Sequence, residues 1–211
     1  MIRLGLTGSI AMGKSNAAKT LRRLGVPVFD ADAVVHRLLG PGGAAVAEVE
    51  AAFPGVRDAA GIDRRRLGQR VFGDPPALRR LEAIIHPMVR DAERRFVALA
   101  RARRAPLVVL DIPLLFETGG IGRCDYVLVV SAPPRLQRER ALRRSGMSES
   151  RFAEIRNAQM PDAEKRRRAD FVVATALGRN VTLKRLQAVL RTLRQDVPPR
   201  RHRRGGPCAK S

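Results

Sequence analysis

Gly8-Ser9-Ile10-Ala11-Met12-Gly13-Lys14-Ser15 follows the apolar run Ile2 to Thr7 and leads into a helical pattern from Lys14 to Leu24 that Gly25 closes. The octet fits Gly-x-x-x-x-Gly-Lys-[Ser/Thr] in the strand, loop, helix setting that gives this pattern its meaning. Glycines let backbone amides close around phosphate groups, and the positive end of the following helix adds to their pull. In such a loop Lys14 reaches the β- and γ-phosphates and the Ser15 hydroxyl ligates magnesium. Gly8, Ala11, Met12, Gly13, Lys14, Ser15 and Asn16 are therefore candidate nucleotide-binding residues, with ATP and Mg2+ as the implied ligands. A chance glycine-rich turn is the competing explanation, and the position directly after the first strand argues against it.

Four more runs rich in branched apolar residues read as buried strands: Val26 to Phe29, Leu107 to Asp111, Tyr126 to Val130 and Phe171 to Val173. Helical patterns separate or follow them, including Pro134 to Arg144, which ends before Gly146, and Arg179 to Gln195, with Val181, Leu183, Leu186, Val189, Leu190 and Leu193 as its apolar stripe. Strands alternating with helices imply an α/β fold. The expectation is a P-loop NTPase-like parallel five-stranded sheet with helices on both faces.

Residues 32–106 are too long for one crossover helix. They show no strand pattern, but they contain helical segments, one opened by Asp74-Pro75-Pro76 and another running from Pro87 to Arg104. A helical subdomain inserted there would hold the acceptor, because open α/β sheets bind ligands beyond the carboxyl ends of their strands. The expected layout is a core of residues 1–31, 105–133 and 160–196, an insertion at 32–104 and a helical lid at 134–159. Residues 197–211, rich in Pro, Gly and Arg, read as a disordered basic tail.

Forty-one Lys plus Arg against 20 Asp plus Glu give a formal net charge of +21. A field of that sign calls for an anionic partner without saying which. Much of the excess lies along helical stretches, such as Arg101, Arg103, Arg104 and Arg166 to Arg168, where a solvated face accounts for it. A basic nucleic-acid-binding protein would explain the charge, but it would leave the P-loop idle and lacks interleaved aromatics. Two cysteines far apart, Cys124 and Cys208, indicate neither a disulfide framework nor a zinc site. With no signal-peptide layout and no apolar run long enough to span a bilayer, the chain reads as a cytoplasmic monomer acting on small molecules, with neither nucleic acid nor membrane as partner.

Three further groups carry chemistry. Asp111 ends an apolar strand, the layout of a carboxylate that positions magnesium, although a turn after a strand also favours Asp. Asp30-Ala31-Asp32 follows the second strand; a carboxylate there can take a proton from an attacking hydroxyl or cap a helix, and one Asp can do each. Gln137, Arg140 and Arg144 share one helical face, from which arginines can neutralise charge on a transferring phosphoryl group.

Taken in order, these elements resemble the bacterial dephospho-coenzyme A kinases over roughly residues 1–178. The likeness rests on Leu4 to Ile10 leading into the P-loop, Asp30-Ala31-Asp32 with His36, and His86-Pro87. It continues through Pro113-Leu114-Leu115-Phe116-Glu117, then Gln137, Arg140 and Arg144, and finally Gln159, Lys165 and Ala169-Asp170. The resemblance implies ATP-dependent phosphorylation of the ribose 3′-hydroxyl of dephospho-coenzyme A. It implies Asp32 as the base, Lys14 and Arg140 on the transferred phosphate, Arg144 on the nucleotide, and His36, His86, Leu115 and Glu117 with Asp32 around the acceptor. Another P-loop nucleoside or nucleotide kinase is the alternative that the loop alone allows. The chain departs from the family pattern at Ala11, where Gly is usual, at Asn16, where Thr is usual, and in Ala174 to Gly178, which lack the usual Asn.

Overall fold

The computed structural model describes Met1–Gln195; the basic tail read from the sequence lies outside the described residues. The chain divides into two compact units, Met1–Phe29 with the chain from Ala100 on, and Asp30–Leu99.

The first unit holds the sheet. Its strands are β1 (Ile2–Thr7), β2 (Val28–Asp30, whose last residue opens the second unit), β5 (Leu107–Asp111), β6 (Tyr126–Ser131) and β7 (Phe171–Ala174), in the order β2-β5-β1-β6-β7. The sheet is the five-stranded parallel one expected. Leu4 pairs with Val109 on one side of β1 and with Tyr126 on the other. β5 and β6 are buried along their whole length, which is why they read as unbroken apolar runs rather than alternating ones. Gly5 sits where a side chain has no room, since a Cβ would come within 2.7 Å of Cys124 Sγ and 2.8 Å of Leu115 Cδ2.

Helix α1 (Lys14–Arg23) buries Ala17, Ala18 and Leu21 in the same apolar core as the last helix, α9 (Arg179–Arg194). The buried face of α9 is Thr182, Leu186, Val189, Leu190 and Leu193. Val181 and Leu183, counted in the stripe from sequence, are only half-buried. Thr182 takes their place because its hydroxyl is satisfied by the Gly178 carbonyl at 2.9 Å, so the side chain can enter the core. The remaining helices of this unit are α6 (Pro134–Leu142), α7 (Glu149–Asn157) and α8 (Asp162–Arg168). Arg101, Arg103, Arg104 and Arg166 to Arg168 are all exposed, as solvated faces require.

The second unit contains α2 (Ala31–Leu39), α3 (Val46–Ala52), α4 (Arg64–Val71) and most of α5 (Pro75–Ala102) around its own core of Leu39, Val49, Phe53, Val56 and Ile85. Two sequence expectations change here. A small antiparallel hairpin, β3 (Arg57–Asp58) with β4 (Gly61–Ile62), lies in a stretch read as strandless. Two-residue strands carry no periodic signal, and the turn depends on Gly61 at φ +102°. The two helices expected on either side of Pro87 are one 28-residue helix with Pro87 inside it. Proline removes one helical hydrogen bond, but Leu81, Ile84, Ile85, Met88 and Val89 pack the flanking turns onto the core and hold the helix through it. Among the described residues no helix is long and apolar enough to cross a membrane.

Candidate active site

The P-loop leaves β1 and enters α1 at Gly13, whose φ of +93° is open to glycine. Thr175, just past β7, approaches Gly13 so closely that a Cβ there would meet the threonine hydroxyl at 3.0 Å. Ala11 also lies in the left-handed region, at φ +60°. Its departure from glycine therefore places a methyl where L-residues are disfavoured by about 1–2 kcal/mol. That methyl is buried with Ala141 of α6 and Phe152 of α7, so packing offsets part of the cost.

Charge is arranged on both sides of β1. Lys14 Nζ lies 2.7 Å from Oδ1 of Asp111, which ends β5 and is 3% exposed. On the other side Arg140 is half-buried and donates from its two terminal nitrogens to the Thr175 hydroxyl at 3.0 Å and the Thr175 carbonyl at 2.9 Å. The same hydroxyl donates to the Met12 carbonyl at 2.8 Å. Thr175 thus joins the loop, the end of the sheet and Arg140 of α6, a link with no sequence signal beyond the missing Asn. Arg144, expected on the same helical face, lies past the end of α6 at Leu142 and is exposed. Ser9 Oγ is buried in the loop with no hydrogen-bond partner among the described residues, a second polar group passed over in the sequence.

Glu117, in the turn after β5, accepts from Met160 N–H at 2.9 Å and lies 2.8 Å from the wholly buried ammonium of Lys165. The Lys165 contact is an ion pair with poor hydrogen-bond alignment, and no better-aligned partner reaches Nζ among the described residues. Burial pushes the Glu117 carboxyl up, but the Lys165 ammonium and backbone N–H groups outweigh it and hold the group below its ordinary value. Leu115 is fully buried against Gly5 and Gly120, so its side chain is a wall of the core rather than a surface for a ligand.

In the second unit, Asp30 and Asp32 divide as the sequence allowed. Asp30 is the N-cap of α2, accepting from Ala33 N–H at 3.0 Å, while Asp32 sits in the first helical turn with an exposed side chain. His36, one turn further on, contacts the Arg64 guanidinium, and His86 is half-buried in α5. These three residues belong to Asp30–Leu99, whereas Lys14, Asp111 and Arg140 belong to the first unit. Among the described residues no three His, Cys, Asp or Glu side chains gather as a metal site. A divalent ion here would draw most of its oxygens from a nucleotide, as magnesium does in phosphoryl-transfer sites.

The family model and the curated relatives agree on one family. The family model described as dephospho-CoA kinase matches residues 2–178. The dephospho-CoA kinase of Rhodospirillum rubrum is 57% identical over 203 residues, covering 96% of this chain and 95% of the relative. That of Paramagnetospirillum magneticum is 60% identical over 195 residues, covering 92% of each. Among solved structures, TT1252 from Thermus thermophilus aligns with a TM-score of 0.78 and 41% identity, over 91% of this chain and 97% of its own. With a phosphate-binding loop after β1, a buried carboxylate beside its lysine and relatives matched almost end to end, this chain belongs to the dephospho-CoA kinase family.

Proposed function

We propose that Lys14, Arg140 and Asp32 carry the transfer of the ATP γ-phosphoryl group to dephospho-coenzyme A, with the first two on the phosphates and the third on the acceptor. The reaction is ATP-dependent phosphorylation of the ribose 3′-hydroxyl, giving coenzyme A and ADP. One P–O bond forms, from the 3′-oxygen to the γ-phosphorus. One breaks, from the γ-phosphorus to the β,γ-bridging oxygen. The hydroxyl proton passes to the Asp32 carboxylate.

Lys14 neutralises the β- and γ-phosphates from the Asp111 side of β1. Arg140 meets the nucleotide from the β7 side, with its remaining N–H donors free of Thr175, and Arg144 extends that cationic edge. Gly8, Ala11, Met12, Gly13, Ser15 and Asn16 form the rest of the cradle. Ser15 and buried Asp111 supply hard oxygens suited to Mg2+, which screens the phosphate charge when bound. The insertion carries the acceptor side through Asp32, His36 and His86. Glu117 serves by fixing the turn after β5, and Leu115 by filling the space beneath it. The reading is of a cytoplasmic monomer, with buried free Cys124 suited to a reducing compartment.

The observation that supports the Asp32 assignment is that Asp30 turns its carboxylate to the Ala33 N–H as the cap of α2, while Asp32 is exposed in the first helical turn. Asp32→Asn should lower turnover about a hundredfold, the lower end for a positioned base because loose transition states need less proton removal. ATP affinity and melting temperature should stay near wild type. Normal turnover in Asp32→Asn together with an inactive, folded Asp30→Asn would move the role to Asp30.

A further inference from the structure

Gln137 and Gln159, which the sequence marks but the transfer does not employ, converge on a single residue of the P-loop. Ile10 N–H donates to Gln159 Oε1 at 2.9 Å, and Gln137 Nε2 donates to the Ile10 carbonyl at 2.9 Å. Backbone chemistry fixes both amide orientations: an N–H has to meet the oxygen, and a carbonyl has to meet the NH2 group. Gln137 comes from α6 and is 5% exposed, while Gln159 follows the end of α7. The next residue, Ala11, is in the left-handed region with its methyl packed against both helices. A loop holding a disfavoured backbone conformation keeps it only when its surroundings over-determine it.

We propose that Gln137 and Gln159 are positioning residues that clamp Ile10 and so hold the P-loop in its phosphate-receiving shape, linking nucleotide affinity to the placement of α6 and α7. The proposal rests on the P-loop being the ATP site. The two glutamines act through Ile10, and their bonds have opposite polarity. Glutamate can replace the acceptor Gln159 but not the donor Gln137, where a carboxylate would face a carbonyl.

The test compares Gln159→Glu with Gln137→Glu by titration calorimetry of ATP into the full-length protein without acceptor. Both exchanges add one negative charge within hydrogen-bond distance of Ile10, so general repulsion of ATP acts on both and largely cancels between them. Gln137→Glu should bind ATP at least about tenfold more weakly than Gln159→Glu, about 1.4 kcal/mol, within the range for leaving a buried partner unsatisfied. Gln159→Met, uncharged and unable to accept, should weaken ATP about tenfold while turnover at saturating ATP stays within about threefold of wild type. Should Gln137→Glu not fold, Gln137→Met takes its place and should match Gln159→Met. Equal weakening by the two glutamates, or wild-type binding in Gln159→Met, would overturn the clamp. Failure of the wild-type protein to bind ATP would instead overturn the nucleotide-site reading beneath it.

Discussion

The P-loop rim and the inserted helical unit hold their polar groups in different ways. Around the loop the partners come from far along the chain: Lys14 and Asp111 are 97 positions apart, Ile10 and Gln137 127, and Met12 and Thr175 163. In Asp30–Leu99 the carboxylates of Asp30, Asp63 and Asp74 bond locally, to Ala33, to Arg65 and Arg66, and to Ala77. There Asp32 and His36 stand on exposed helical surface. The nucleotide side is thus built for preorganisation, in which donors are fixed before charge develops. The residues proposed for the acceptor, Asp32 and His36, instead stand at the surface of one helix, His36 against the Arg64 guanidinium. Substitutions should follow that division, with those at the loop altering chemistry, loop shape or stability and those at Asp32 altering turnover alone.

The largest effect is expected at the cations of the rim. Lys14→Ala should lower turnover by about 10²–10³, the scale for losing a charge stabiliser, and also lower the melting temperature by taking the ion-pair partner from buried Asp111; Arg140→Ala should lower turnover by about a hundredfold with little change in melting temperature. Steady-state ADP release measures both. Exposed Arg101 is the control. Arg140→Ala behaving like Arg101→Ala would reduce Arg140 to surface charge and weaken the contrast.

The ion pair of buried Lys165 with Glu117 should matter less to catalysis and more to stability. Lys165→Met removes the buried ammonium and leaves only the solvent-contacting Glu117 without its counter-ion, so it should cost about 1 kcal/mol. The pH dependence follows from the depressed Glu117 carboxyl. Its stabilisation is complete above the unfolded carboxylate value near 4.5 and is lost as pH falls through the lower folded value. The gap in urea midpoint between wild type and Glu117→Gln should therefore be widest near neutrality and close on the acid side. A gap that grows below pH 4.5 would contradict the sign.

Ala11→Gly should be the mildest change. Glycine removes about 1–2 kcal/mol of left-handed strain, but it gives up a buried methyl worth about 0.8 kcal/mol and frees the unfolded chain by about 0.4–1 kcal/mol. These terms nearly cancel, so stability should shift by less than about 1 kcal/mol and ATP affinity should hold or tighten slightly. Clearly weaker ATP binding would show that the loop depends on the methyl contact with Ala141 and Phe152, which would sharpen the view of the rim as a clamped assembly.

The same difference decides what could be read in advance. The P-loop pattern, the five strands of the large sheet and the acidic end of β5 were legible because their signals are local: a glycine and lysine spacing, unbroken apolar runs, a carboxylate ending a strand. The split between Asp30 and Asp32 was half legible, since either carboxylate suits a cap until the Ala33 bond is seen. Thr175 and the clamp on Ile10 were not, because threonine and glutamine have no periodic signature and their partners are more than a hundred positions away. Pro87 misled for the opposite reason: a strong local breaker was overridden by the apolar face on both sides of it, which only the packed core of the insertion shows.

The most direct test of the account is the dependence of ADP release on the acceptor, followed in a coupled assay with 31P spectra of the product. Dephospho-coenzyme A should sustain turnover and gain a phosphomonoester at its ribose 3′-hydroxyl, while adenosine, AMP and small sugars at the same concentration should give rates at least about a hundredfold lower. Comparable rates with a nucleoside or nucleotide acceptor, or ADP release indifferent to dephospho-coenzyme A, would contradict it.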